Sequence, residues 1–275
     1  MKKCCAQRIV PYLPLLLLVS IWELGARLSE KSCFMFSSPS LILKALYNSI
    51  LDGSFVVDVG ITFFEAGVGF VLSCGVGMLV GFALLSFPNV GMVMKRYITV
   101  FSAIPVFAVA PLMIIWFGVG LEMKVASSFF STVFVIVYQT YSGGSNIDAN
   151  QRDYILRHGG NEKDTFLLLR LPSAFDWIIQ SLKMSANLSV MGAFIGEFIA
   201  SEKGVGHRII KASGLYDINY VFVGIIGMLL IIFLFLYLTN YIQAKKTYIL
   251  RASLVFFNKA YVENRCDHSN IGREI

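Results

Sequence analysis

Six stretches of the chain are apolar over roughly the 20 residues that a helix needs to cross a bilayer. They cover residues 9–28, 61–85, 97–117, 125–141, 182–200 and 220–242. None shows the period-two alternation of a membrane barrel, and a helix satisfies its own backbone groups in lipid. The pattern predicts an all-α integral membrane protein with six transmembrane helices. Between the first two runs, Ser37-Ser38-Pro39-Ser40 reads as a helix start, opening an amphipathic segment that lies at the membrane surface and closes at Asp52-Gly53. The second run carries Gly67, Gly69, Gly75, Gly77 and Gly81, small residues that let helix backbones approach closely in lipid. The third holds Pro105 and Pro111, which interrupt a spanning helix unless neighbours satisfy the freed carbonyls. Between the fourth and fifth runs the chain turns polar, and Arg152, Asp153, Arg157, His158, Lys163, Asp164 and Arg170 fall in one segment facing water.

Composition narrows the class. Over 275 residues the mean hydropathy is +0.70 and only 15% of residues are charged, which excludes an ordinary soluble domain. The net charge of +6 is spread over membrane flanks rather than gathered on one aromatic-studded face, so no nucleic-acid partner is expected. With the N-terminus inside, 16 of the 23 Lys and Arg fall on the inner side and 7 on the outer. The positive-inside rule then places both termini and the polar segment in the cytoplasm. The expected organisation is a cytoplasmic N-terminus (1–8), a transmembrane domain (9–243) with a cytoplasmic loop (142–181), and a basic cytoplasmic tail (244–275). Met1-Lys2-Lys3 ahead of an apolar run has the charge bias of a signal peptide, but no small-residue cleavage site follows, so the run reads as an uncleaved first span. The five cysteines and three histidines lack metal-ligand spacing, and no glycine-rich loop ends in Lys-Ser or Lys-Thr. Neither metal nor cofactor is expected, and no enzyme signature emerges.

The polar segment runs in the order of an acidic position, a glycine turn, an apolar helix face and a proline stop: Asp153, Gly159, Phe166, Leu171-Pro172. That order resembles the cytoplasmic "EAA" loop of ABC-transporter permeases of the binding-protein-dependent type, with Asp153 at the glutamate position and Tyr154 and Ile155 replacing the alanines. Glycine supplies the positive φ that ends one helix and starts another; proline ends or starts a helix because it lacks an N–H. Together with Pro39-Ser40, the glycine-rich second run, Ile104-Pro105, Pro111-Leu112, Trp116-Phe117-Gly118-Val119-Gly120, Glu197 and Gly204-Val205-Gly206, the chain is similar to the permease subfamily of nitrate, sulfonate, taurine and pyrimidine-precursor importers. It departs from that subfamily at Glu65, where a basic residue is usual, at Asp176, a proline position, and at Ser181, a glycine position.

The resemblance implies a type I importer permease fold in the cell inner membrane. It implies partnership with cytoplasmic ATPase subunits, an extracytoplasmic solute-binding protein and a second permease copy, with membrane lipid around them. Asp153, Arg157, Gly159, Lys163, Phe166, Leu171 and Pro172 become the ATPase-coupling loop, with Gly159 as its hinge. Pro105, Pro111 and Glu197 become candidates for the translocation path. Glu197 is costly in lipid and faces protein or water, or else reaches the outer surface. Glu23 and Glu65, nearer span ends, read as surface residues. The basic loop residues serve the positive-inside rule whether or not they meet an ATPase. The solute stays open between a sulfonate-, nitrate- or taurine-like anion and a pyrimidine or thiamine precursor. A secondary transporter driven by an ion gradient is the alternative; it calls for several buried acids and internal repeats. A membrane-embedded enzyme would need clustered Asp or His, and Asp148, Asp153 and Asp164 are scattered.

Overall fold

A computed structural model describes residues 13–271. The N-terminal segment expected over residues 1–8 and the first residues of the run from residue 9 lie outside the described residues, as do the side chains of the basic tail beyond Lys245. The described chain is helical: α1 (Leu13–Arg27), α2 (Glu30–Phe36), α3 (Pro39–Leu51), α4 (Ser54–Ser86), α5 (Pro88–Ser102), α6 (Val106–Phe117), α7 (Leu121–Ser145), α8 (Ala149–Arg157), α9 (Glu162–Thr165), a π-helical turn (Phe166–Arg170), α10 (Leu171–Ala200), α11 (Val205–Gly214) and α12 (Ile218–Ile271).

Among the described residues, four helical stretches are long and apolar enough to cross a membrane: Ser54–Ser86, Leu121–Ser145, Glu162–Ala200 and Ile218–Lys245. The expected third span is instead the pair α5 and α6, bent by 91°. The break falls at Ala103–Pro105, where Pro105 takes the extended N-cap position of α6, because proline fixes φ and offers no N–H to a continuing helix. Pro111 remains inside α6. Of the expected first span, α1 covers the described part and touches the bundle through Trp22 on Phe222, ring centroids 5.3 Å apart.

The core is a three-helix packing of α4, α7 and α10, and the glycine pattern of α4 accounts for it. A Cβ at Gly77 would lie 2.8 Å from the Ile136 Cβ, and one at Gly81 2.5 Å from the Thr140 Cβ; at Gly69 it would overlap Ser128. Only the small-residue face permits this approach to α7, whereas Gly75 has open space around it. On the same face Thr132 donates to Ser73 Oγ at 2.6 Å, and Ser128 and Ser189 share a bond at 2.8 Å. Polar pairs of this kind join helices where burial alone provides little drive. Apolar clusters flank the seam: Ala66, Val190, Ile231 and Phe235 on one side, and Leu85, Val137 and Tyr141 on the other.

The polar loop is shorter than the expected 142–181. Its first residues continue α7, where Ser142 is 2% exposed, and its last ones begin α10. Pro172 does not stop the helix. It occupies the first turn of α10 directly after the π-helical turn, and the widened register absorbs the missing donor and the ring.

Candidate functional site

Two polar regions stand at opposite ends of the bundle. The first is the loop between α7 and α10. Asp148 caps α8 by accepting from the Asn150 N–H at 2.9 Å. The helix ends before Gly159, whose φ of +85° turns the chain and permits α9 to leave at a new angle. A Cβ at Gly159 would meet nothing within 4 Å, so its constraint is conformational rather than steric. Asn161 then opens α9 with a reciprocal capping box: its side chain accepts from the Lys163 and Asp164 N–H groups while Asp164 Oδ2 accepts from the Asn161 N–H at 2.8 Å. An ion pair between Arg152 and Glu162 ties α8 to α9.

The loop therefore holds a fixed shape while presenting an exposed surface. Asp153, Arg157, Gly159 and Lys163 are exposed, as are the apolar Tyr154, Leu167 and Leu168. Phe166 packs inward against the Leu85–Tyr141 cluster, and Leu171 is half-buried at the head of α10. Lys163, Phe166, Arg152 and Arg170 come together with Leu85 and Pro88 around a cavity of about 780 Å³. Of the predicted loop residues only Lys163 and Phe166 line that cavity; Asp153, Arg157, Gly159, Leu171 and Pro172 lie outside its lining.

The second region lies at the other end of the spans, where α4, α7 and α10 meet α11. Glu197 is 0% exposed. Its Oε1 accepts from the Thr62 hydroxyl at 2.6 Å and its Oε2 from the Gly206 N–H at 2.7 Å. The two neighbouring amides at the start of α11 are bound as well: Gly204 N–H donates to Asp58 Oδ1 at 3.1 Å and Val205 N–H to Thr62 Oγ1 at 2.9 Å. Three acceptors on α4 and α10 thus satisfy the N-terminal donors of α11, which have no partner within their own helix. Asp58 also holds Arg208 at 2.7 Å, and Arg208 donates to Ser54 Oγ at 2.8 Å. On the loop beside it, the Ser54 side chain and N–H, with Arg208 nearby, hold the Asp52 carboxyl below its ordinary value.

Close packing demands glycine here. A Cβ at Gly204, whose φ is +107°, would overlap the Glu197 carboxylate, and one at Gly206 would stand 2.8 Å from the Glu197 Cβ.

The structure corrects the reading of Glu65 as a surface residue. It is 2% exposed and pairs with Lys124 Nζ of α7 at 2.7 Å, while its Oε2 has no hydrogen-bond partner. The Glu197 carboxyl stands close to that of Glu65. Lys124 is engaged by Glu65, and Glu197 itself is held by a hydroxyl and an amide. Nor does Glu197 reach the outer surface. Pro105 and Pro111 are both exposed on α5–α6, apart from this cluster. Among the described residues no group of His, Cys, Asp and Glu could hold a metal ion.

The sequence reading missed Asp58, Thr62, Lys124 and Arg208. The first two carry a signal: Asp58, Thr62 and Glu65 recur at helical spacing on one face of an otherwise apolar helix.

Among the described residues, a helical bundle with a polar two-helix loop between spans and buried charges at one end has the architecture of a membrane-spanning protein. Comparison with known proteins gives the family. Residues 73–248 match the binding-protein-dependent transport system inner membrane component, and the chain belongs to that family. It is a permease of the ABC-importer type, a transport subunit rather than an enzyme. It is 25% identical over 201 residues to the formylaminopyrimidine transport permease protein ThiX of Halalkalibacterium halodurans, covering 73% of this chain and 80% of the relative. It is 25% identical over 211 residues to the putative aliphatic sulfonates transport permease protein SsuC of Bacillus subtilis, covering 76% of each. Among solved structures, a chain from an inward-facing conformation of the MetNI methionine ABC transporter superposes with a TM-score of 0.53 at 14% identity, over 70% of this chain and 94% of that one; the fold is that of a type I importer permease.

Proposed function

We propose that this chain forms, with a second copy of itself, the inner-membrane path of an ATP-driven importer. A separate ATPase supplies the stroke from the cytoplasm, and an extracytoplasmic binding protein delivers the solute. The single observation that carries this reading is the loop from Asp153 to Pro172: a preformed two-helix corner, capped at both helix starts, hinged at Gly159 and displaying Tyr154, Leu167 and Leu168 to water. Exposed apolar residues on a rigid polar corner suit docking by another protein. In this arrangement α1 is the sixth span and both termini lie in the cytoplasm, as the distribution of Lys and Arg supports. Pro105 and Pro111 lie along the path, and Glu197 acts from behind it by fixing α11. Relatives named for aliphatic sulfonates and for formylaminopyrimidine support a small polar metabolite as the solute, carried by alternating access as the two copies rock.

Gly159→Pro is expected to abolish recovery of the ATPase when the permease is purified from membranes. Proline cannot adopt φ +85°, and the substitution deletes the Gly159 N–H bond to the Leu156 carbonyl at 3.2 Å. Tyr154→Glu, at a residue 54% exposed, tests the same surface without touching the backbone. Both variants are scored by ATPase bound per inserted permease. If no ATPase accompanies even the wild type, the importer reading fails and an ion-coupled transporter takes its place.

A further inference from the structure

The helix that packs most widely in the bundle is α10, yet one stripe of it is left exposed by the described residues. Gln180, Met184, Asn187 and Met191 follow one another at helical spacing and are all exposed, with Met184 55% and Met191 56% accessible. Lys183, half-exposed, borders the same stripe, and among the described residues no acid pairs with it. The opposite face of α10 is buried: Ala186, Ser189, Val190, Ala193 and Glu197 point into the chain.

Composition separates this stripe from the lipid-facing surfaces. The exposed side of α12 presents Leu229, Leu230, Phe233 and Leu234, as hydrocarbon requires. The stripe on α10 instead sets Gln180 and Lys183 at the inner edge of the apolar run 182–200 and Asn187 inside it. A polar group placed like Asn187, with apolar residues on both sides along the helix, faces a protein interior or water rather than lipid. Methionines between them give an adaptable, polarisable surface. α6, the helix that carries Pro111 and follows the break at Pro105, packs beside α10.

We infer that the Gln180–Met191 stripe of α10 is the solute-contacting wall of the path, and that Lys183 with Asn187 forms a subsite for an anionic group on the solute. This rests on the importer reading and deepens it, choosing the anion over the uncharged precursor. Charge supports the choice. Lys124, buried at the far end of the bundle, is neutralised by Glu65, whereas among the described residues no carboxylate pairs with Lys183. With two copies in register, two such lysines and four amides line one passage. An oxyanion accepts from amides and from an ammonium alike, so the chemistry of the wall matches a sulfonate or carboxylate.

The test is thiol labelling at Asn187→Cys in the purified permease–ATPase complex, with peptide mass spectrometry reporting the site so that the native cysteines stay. Two methanethiosulfonate reagents of similar size are compared, one bearing a sulfonate and one a trimethylammonium group. The expected result is that position 187 reacts with both, and with the sulfonate reagent about tenfold faster through local charge. Lys183→Gln in the same background removes that preference, while Leu234→Cys on the lipid side stays unlabelled. A complex that contains ATPase but leaves position 187 unreactive overturns the wall. With each rate scaled to that reagent's rate on a free small thiol, equal rates for the two reagents, or a preference unchanged by Lys183→Gln, overturn the anion subsite. Absence of ATPase from the wild-type preparation is the separate failure of the importer reading.

Discussion

Lys124→Met is expected to destabilise the folded permease by about 3–5 kcal/mol, the range for removing one partner of a buried ion pair. Lys124 is 8% exposed and Glu65 2%, so solvent screens little of the pair. Without the ammonium, Glu65 is left in the interior beside a second carboxyl, that of Glu197, with its Oε2 already lacking a partner. Both carboxylates would then need desolvated negative charge in one place, which Coulomb repulsion and burial oppose together. Adding Glu65→Leu to Lys124→Met is expected to recover most of the loss, because an apolar pair of similar volume replaces a buried ionic one at little net cost. Thermal unfolding of purified protein in detergent reads both variants. A single variant as stable as wild type, or a double variant less stable than the single, would show that the pair does not hold α4 to α7.

Much of the fold was legible because a bilayer imposes strong constraints on composition. Apolar length located α4, α7, α10 and the first part of α12, and the glycines of α4 announced a close helix contact that Gly69, Gly77 and Gly81 make with α7. Local chemistry was legible too: Pro105 breaks the third run, and Gly159 takes the left-handed turn. What the pattern could not supply was pairing between distant positions. Glu65 and Lys124 both stand near the ends of apolar runs, where a charge ordinarily snorkels to the surface; only the packing of α4 on α7 turns them toward each other. Pro172 stands in a first helical turn, as a proline that starts a helix does, but it makes no stop. Its effect on a helix depends on the register of the preceding turn, and the π-helical geometry over Phe166–Arg170 lies outside any period-3.6 reading. The α10 stripe was hidden by apolar neighbours, since Gln180, Lys183 and Asn187 join on one face only after the helix is drawn and the opposite face is seen to be buried.

Glu197→Leu is expected to release the start of α11. The carboxylate serves the Thr62 hydroxyl and the Gly206 N–H, and these two losses are unequal. Thr62 keeps the Asp58 carbonyl within 3.1 Å and still accepts from Val205, so its hydroxyl is provided for. The Gly206 amide is buried at a helix N-terminus and has no other acceptor in reach among the described residues, so it carries the penalty of an unsatisfied donor, about 2 kcal/mol. Leucine also has a branched end against the space that Gly204 leaves only for a planar carboxylate. The effect belongs to one junction, so it is expected as local opening rather than global unfolding. Amide exchange measured by mass spectrometry on the peptide spanning residues 201–214 should accelerate by about 30-fold, which is the rate equivalent of that free energy, while the core of α7 keeps its protection. Glu197→Gln retains one oxygen at the same place and should fall between wild type and leucine. If exchange at 204–208 is unchanged in Glu197→Leu, the acceptors on Asp58 and Thr62 suffice and the buried glutamate is not what holds α11. If it accelerates as expected, α11 is joined to α4 and α10 by one carboxylate, and any movement of α10 that changes the passage also moves the cap on its outer end.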